Sequence, residues 1–310
     1  MEIDSGPGPE PTQPAERDYS VSATGLVSRT FKLWFRNILA YVVIVGIVSF
    51  VWAIAQSFVS IFILGVDFTD YFGSDPTSFL LGIISILTDP YVTPGDIALF
   101  VPVSIVIFIL SLLIYAIIAG AAVKYALDDY GTKSADISES FSFATGRAVT
   151  LILAQLIVGL ITGAIIAVPA LILVFSFVTG YIDLALIGIV AVIVAIVVIL
   201  YVSIRLAPTL AVVIAEDLSA MDSVKRAWEI TSGNFWHIFG GQILLGIAIA
   251  VVSFVIGLIA LSFAFAGGYL VTLIITAIAA LLLSPLNYVF QAVLYKDLKS
   301  RATESDQEWW

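Results

Sequence analysis

Six apolar runs divide the chain, at residues 38–66, 98–127, 148–178, 184–206, 235–263 and 270–290, with short polar stretches between them. A helix of about 20 mostly apolar residues fills the hydrocarbon core of a bilayer, so each run predicts one transmembrane helix. A β-barrel would show segments of about 10 residues with alternating polarity, a pattern absent here. Pro102 falls near the outer end of the second span, whereas Pro169 and Pro285 fall inside the third and sixth and predict kinks or breaks. A further run, 79–87, is too short to span and reads as a re-entrant or interfacial piece.

Between the spans the pattern changes to one polar and one apolar helix face. Over 25–37, Val27, Phe31, Trp34 and Phe35 fall on one side and Arg29, Lys32 and Arg36 on the other. That helix reads as a positively charged anchor that fixes orientation, or alternatively as a surface that recognises anionic headgroups. Over 136–147, Asp136 and Glu139 occupy capping-box positions, Ile137, Phe141 and Ala144 form the apolar face, and Gly146 ends the helix. The stretch 205–236 is the most informative. Ser219 and Asp222 start a helix, Met221, Val224 and Trp228 form its apolar stripe, and Asp222, Lys225, Arg226 and Glu229 form its polar side. Asp222 and Arg226 stand in the favourable i, i+4 order, and Gly233 and Asn234 are expected to stop the helix in left-handed conformations. Trp228 and Trp236 are expected at headgroup depth.

Placing Asn37, Arg147 and Asn234 in register aligns Phe31 with Phe141 and Trp228, and Gly146 with Gly233. The fold class expected is therefore all-α: an integral membrane six-helix bundle built as three units of interfacial amphipathic helix plus transmembrane hairpin. Residues 1–20, rich in Pro, Glu and Ser and without the basic-then-apolar pattern of a signal peptide, read as a disordered cytoplasmic tail. Residues 21–301 form the membrane domain, with 291–301 as a polar helical extension, and 302–310 a short acidic tail.

Composition sharpens this picture. The chain is 61% hydrophobic and 12% charged, far below the quarter or so of charged residues in globular chains. All 13 Lys and Arg lie in segments on one side, or at the inner end of a span, which puts both termini in the cytoplasm. The segment 67–97 holds Asp67, Asp70, Asp75, Asp89 and Asp96 with no basic residue, and reads as a solvated outer loop whose spacing matches no Ca²⁺ loop. A net charge of −10 without a basic patch argues against nucleic acid and is compatible with a prokaryotic plasma membrane. The absence of cysteine excludes disulfides and thiolate chemistry.

Candidate chemistry is sparse. The spans hold no Asp or Glu, and their basic residues, Lys124 and Arg205, each lie near an end. Catalysis needs a convergent set of titratable groups, so no enzyme activity, cofactor or metal is expected. His237, the sole histidine, reads as interfacial, with solvent or backbone partners. Gln155, Gln242, Asn287 and Gln291 are candidates for hydrogen bonds between helices. Arg205 either snorkels, or pairs with Glu216 or Asp217, or contacts a lipid phosphate together with Lys225 or Arg226. The candidate lipid-headgroup or partner contacts are thus Arg205, Lys225, Arg226, Trp228 and Trp236.

Arg205-Leu206-Ala207-Pro208, then Glu216-Asp217, Ala220, Ser223 and Trp228, then Gly233-Asn234-Phe235-Trp236, form a pattern that Pro285 and Leu294 to Arg301 complete. It resembles the membrane domain attached to some bacterial glycerophosphodiester phosphodiesterases and its stand-alone relatives. The resemblance covers most of residues 20–301, with its specific residues in the last third. It implies a multi-span membrane module without an assigned reaction, because the phosphodiesterase catalytic domain has no counterpart here. The function expected is a non-enzymatic scaffold that organises membrane lipids or another membrane or cytoplasmic protein. The alternative is a permease-like membrane subunit of a transporter driven by a separate ATPase.

Overall fold

The computed structural model describes residues 19–59, 94–132, 134–266 and 268–307. The 1–18 part of the N-terminal tail, the acidic residues Asp67 to Asp89, the 79–87 run and residues 308–310 lie outside them. The described chain is helical, with no strand among the described residues. Among the described residues, six helices are long and apolar enough to cross a membrane.

An amphipathic helix α1 (Ala23–Arg36) is capped by Ser22, whose hydroxyl accepts from the Gly25 N–H. A single non-helical residue, Asn37, separates it from the first span, α2 (Ile38–Val59). Within α2 the stretch Val42–Ile47 is π-helical. Gly46 sits in that stretch because the backbone of the sixth span passes there. A β-carbon on Gly46 would lie 3.2 Å from the Leu281 carbonyl oxygen. The second span, α3 (Pro94–Gly131), contains Pro102 past its first turn, where the missing N–H leaves one helical hydrogen bond unmade.

Helix α4 (Ile137–Gly146) starts at Asp136, whose carboxylate accepts from the Glu139 N–H, and buries Ser140 and Ala144. Arg147 breaks the chain before the third span, α5 (Ala148–Thr179), which ends at a left-handed Gly180. The fourth span, α6 (Ile182–Arg205), leads through Leu206 and Pro208 into α7 (Thr209–Glu216). Helix α8 (Ala220–Ile230) follows, then the fifth span, α9 (Phe235–Phe265), and α10 (Tyr269–Leu283). At Ser284-Pro285 the sixth span breaks, and α11 (Leu286–Gln307) continues.

The packed core lies at one end of this assembly. It gathers Tyr41 and Ile44 of α2, residues between Ala116 and Leu127 of α3, Leu151 and Ala154 of α5, Ile238 and Leu245 of α9, Ala211 to Ile214 of α7, and Leu286, Val289, Phe290, Ala292 to Tyr295 and Leu298 of α11. The far halves of the hairpins α5–α6 and α9–α10 pack mainly within their own hairpin. Their large apolar side chains, such as Leu171, Phe177, Val194 and Phe254, are exposed. In a bilayer that surface meets lipid tails, which are as apolar as leucine, so no hydrophobic force closes the hairpins together.

Three expectations are corrected here. The stretch 291–301 is not a polar extension: Ala292, Val293, Leu294, Tyr295 and Leu298 are fully buried and α11 packs against α3, α1 and α7. Its apolar residues recur with helical spacing along one broad face, and Lys296, Lys299 and Arg301 occupy what remains. Nor is all of 205–236 interfacial, since α7 buries Ala211, Val212, Val213 and Ile214. A short helix that is apolar all round belongs inside. Finally, the buried face of α8 is Ala220, Ser223, Val224, Ala227 and Ile230, whereas Met221 and Trp228 are exposed. Small residues let helices approach closely, and the large ones turn to the lipid side.

The proposed register of Asn37, Arg147 and Asn234 keeps part of its content. The aligned positions Thr30, Ser140 and Ala227 are all buried, as are Trp34, Ala144 and Thr231. The likeness stops there. One residue breaks the chain at Asn37 and at Arg147, but four residues separate α8 from α9, and α7 has no equivalent near the other two.

Candidate functional site

Four carboxylates at the packed end meet groups from other parts of the chain, three of them largely buried and the fourth, Asp217, exposed. Asp129, in the last turns of α3, is buried and accepts from Arg36 Nη2 at 2.6 Å, Asn37 Nδ2 at 2.9 Å and Tyr41 Oη at 3.5 Å. Asp217 pairs with Arg147 across the junction of α4 and α5. Glu216 accepts from Arg226 Nε at 3.1 Å and Tyr295 Oη at 2.9 Å, with Lys299 Nζ at 4.0 Å.

Asp297 is 0% exposed. It accepts from the Val21 N–H at 2.8 Å and from Arg301 Nε at 3.2 and 3.1 Å, and it shares a hydrogen bond with His237 Nε2 at 2.8 Å. Arg301 also donates to the Val21 carbonyl. Removing one partner of a buried ion pair costs about 3–5 kcal/mol, so these ties resist loss of either member. His237 therefore has a carboxylate partner, not the solvent or backbone partner expected. A sequence signal for it existed only in retrospect: a lone Asp among apolar residues at 292–298.

Arg226, a candidate contact residue, is committed to the same layer. It pairs with Glu216 and Glu229, not with Asp222, which lies 3.9 Å from Lys225. Burial works against the Arg226 charge, but the Glu216 and Glu229 carboxylates together outweigh it and raise its pKa above the ordinary value. Gly233 is left-handed as expected, with φ 78°, whereas Asn234 is not and instead precedes α9.

Arg205 stands apart. It lies in the last turn of α6 and is 7% exposed, yet it pairs with neither Glu216 nor Asp217. Its Nε is sealed without a hydrogen-bond partner, and no ion pair reaches its guanidinium among the described residues. The guanidinium carbon lies 4.5 Å from the centroid of the Trp228 ring. Thr231 Oγ1 donates to the Arg205 carbonyl at 3.0 Å, which anchors the backbone and leaves the charge unmet.

Around this cation stand aromatic rings. Tyr201 meets Trp228 edge-on at 5.9 Å and Phe235 at 5.2 Å, and Phe235 continues to Trp236 and Phe239. Trp236 projects outward, 76% exposed. Magnitudes identify what is missing. A desolvated cation–π contact is worth about 2 kcal/mol and the carbonyl end of a helix about 0.3–1 kcal/mol. Burying an ion costs several kcal/mol, so the two together leave a deficit. Of the residues expected to act together, Arg205, Trp228 and Trp236 share this cluster, while Lys225 and Arg226 are engaged elsewhere.

Residues 176–299 match the membrane domain of glycerophosphoryl diester phosphodiesterase. This phosphodiesterase membrane-domain match runs from the end of α5 into α11, and so takes in Arg205, its aromatic frame and the Glu216 and Asp297 ties. It names a membrane domain and no reaction. No curated protein and no solved structure matches the chain.

Two grooves lie in the spans, away from this cluster. One of about 340 Å³ between α2 and α3 is lined by Trp52, Gln56 and Pro102 among others. Both Trp52 and Gln56 donate there to Ser111 Oγ, at 3.2 and 2.9 Å. The other, about 440 Å³, lies between α9 and the broken sixth span and carries Ser253, Thr276, Ser284 and Asn287. Among the described residues, the expected helix-to-helix bonds of Gln155, Gln242, Asn287 and Gln291 are not formed, and Gln291 Oε1 is buried without a partner.

Proposed function

We propose that this chain is a non-enzymatic membrane module that organises lipid or a partner protein at the cytoplasmic face of a prokaryotic plasma membrane. The contrast between its two ends carries the reading. One end is a rigid block in which the buried carboxylates are consumed by structural ties. The other presents loosely associated hairpins to lipid. Such a block holds a surface steady, and its two buried carboxylates, Asp129 and Asp297, are engaged by Arg36 and by Arg301 and His237. The clustering of Lys and Arg at the block's end supports a cytoplasmic position.

A second reading, a permease-like subunit coupled to an ATPase, draws support from the groove beside Pro285. Polar groups there line the flank of a broken span, an arrangement that transporters use for substrates. Extraction from the native membrane in a lipid-preserving polymer, followed by mass spectrometry, separates the two. The organising reading expects enrichment of one lipid class or of a non-ATPase protein. Stoichiometric recovery of an ATPase overturns it in favour of the second.

A further inference from the structure

We propose that the Arg205 niche is a binding site for a phosphate-bearing anion, with the phosphodiester of a membrane lipid headgroup as its source. This rests on the organising function and names a ligand for it. The inference starts from an unsatisfied group: a guanidinium 7% exposed, its Nε without a partner, and no carboxylate within ion-pair distance among the described residues. The acids nearest in sequence are spent, Glu216 on Arg226 and Tyr295, and Asp217 on Arg147. A buried cation needs an anion, and this chain has given its own away.

The surroundings choose the chemistry. A guanidinium offers two parallel N–H donors that match two oxygens of a phosphate. Trp228 covers one face of that fork. Tyr201, Phe235 and Trp236 frame the site with rings of the kind that settle at headgroup depth, and Arg205 ends a span. The carbonyl end of α6 carries partial negative charge, which disfavours a dianion beside it. A diester bearing one charge fits better than free phosphate.

The test uses the full chain, stripped of lipid in detergent, as wild type, Arg205→Met and Arg205→Lys. Methionine keeps the apolar bulk and removes the charge; lysine keeps the charge and loses the fork. Phosphatidylglycerol is added, and native mass spectrometry reads the bound fraction while thermal melting reads protection. Wild type is expected to retain the lipid about tenfold better than Arg205→Met, with Arg205→Lys between them. Lipid-free Arg205→Met is expected to melt no lower than wild type, because it sheds an unpaired charge.

Equal lipid retention by wild type and Arg205→Met overturns the proposal, as does a lower lipid-free melting temperature of both variants with retention unchanged. Inorganic phosphate replaces the lipid in a parallel arm. Protection by it that Arg205→Met abolishes keeps the phosphate chemistry and overturns the lipid as its source. If native extracts carry an enriched lipid class but Arg205→Met retains it, the niche falls and the organising function stands. If extracts yield only an ATPase, the function falls, and the detergent measurement still decides the niche.

Discussion

At the scale of single residues, the chain spends unusual conformations and buried charges on joining distant segments. Asp217 is the one non-glycine residue with positive φ among the described residues, at 54°. It ends α7, and aspartate tolerates this region better than most side chains. Asp217→Val is expected to cost about 1–2 kcal/mol. Asp217→Gly should stay near wild type, since it relieves the backbone and gives up a pair whose carboxylate is largely exposed. Melting curves in one detergent distinguish them. Asp297 and His237 provide the complementary case, because both belong to one hydrogen-bonded cluster. A double-mutant cycle of Asp297→Asn and His237→Gln should give a coupling of about 0.5–3 kcal/mol. A coupling near zero would mean that His237 is a bystander.

At the scale of elements, local signals and packing signals part company. Helix α8 illustrates both. Its start was legible in Ser219, whose hydroxyl accepts from the Asp222 N–H at 3.3 Å, and Ser219→Ala is expected to lower stability by about 1 kcal/mol in chemical denaturation. Its stop was legible in Gly233. Its buried face was not, because hydrophobic size points to Met221 and Trp228 while close packing selects Ala220, Ser223 and Ala227. In a membrane the large apolar residue has a second home, the lipid. Helix α11 misled for the opposite reason: Lys296, Lys299 and Arg301 make its composition polar, although one broad face is wholly buried. Arg205 was legible as a rare charge at a span end. Its isolation was not, because that depends on where Glu216 and Asp217 turn, and they turn to residues up to 79 positions away.

At the scale of the whole molecule, the ion pairs among the described residues gather at one end, and the sidedness of that end has a direct test. The chain has no cysteine, so single replacements report cleanly. Ser232→Cys should be shielded from an impermeant maleimide on intact cells, and Tyr181→Cys should react; the reverse pattern would invert the orientation read from the Lys and Arg count. The central place of α11 in the core carries one more consequence. Ribosomes make residues 286–298 after every other span, so Leu26, Val123 and Val212 await neighbours that do not yet exist. Until then the shared interior lacks one wall, although α3 already meets α5 and α7. A chain halted at Pro285 is therefore expected to be degraded faster than the full chain in a pulse–chase measurement.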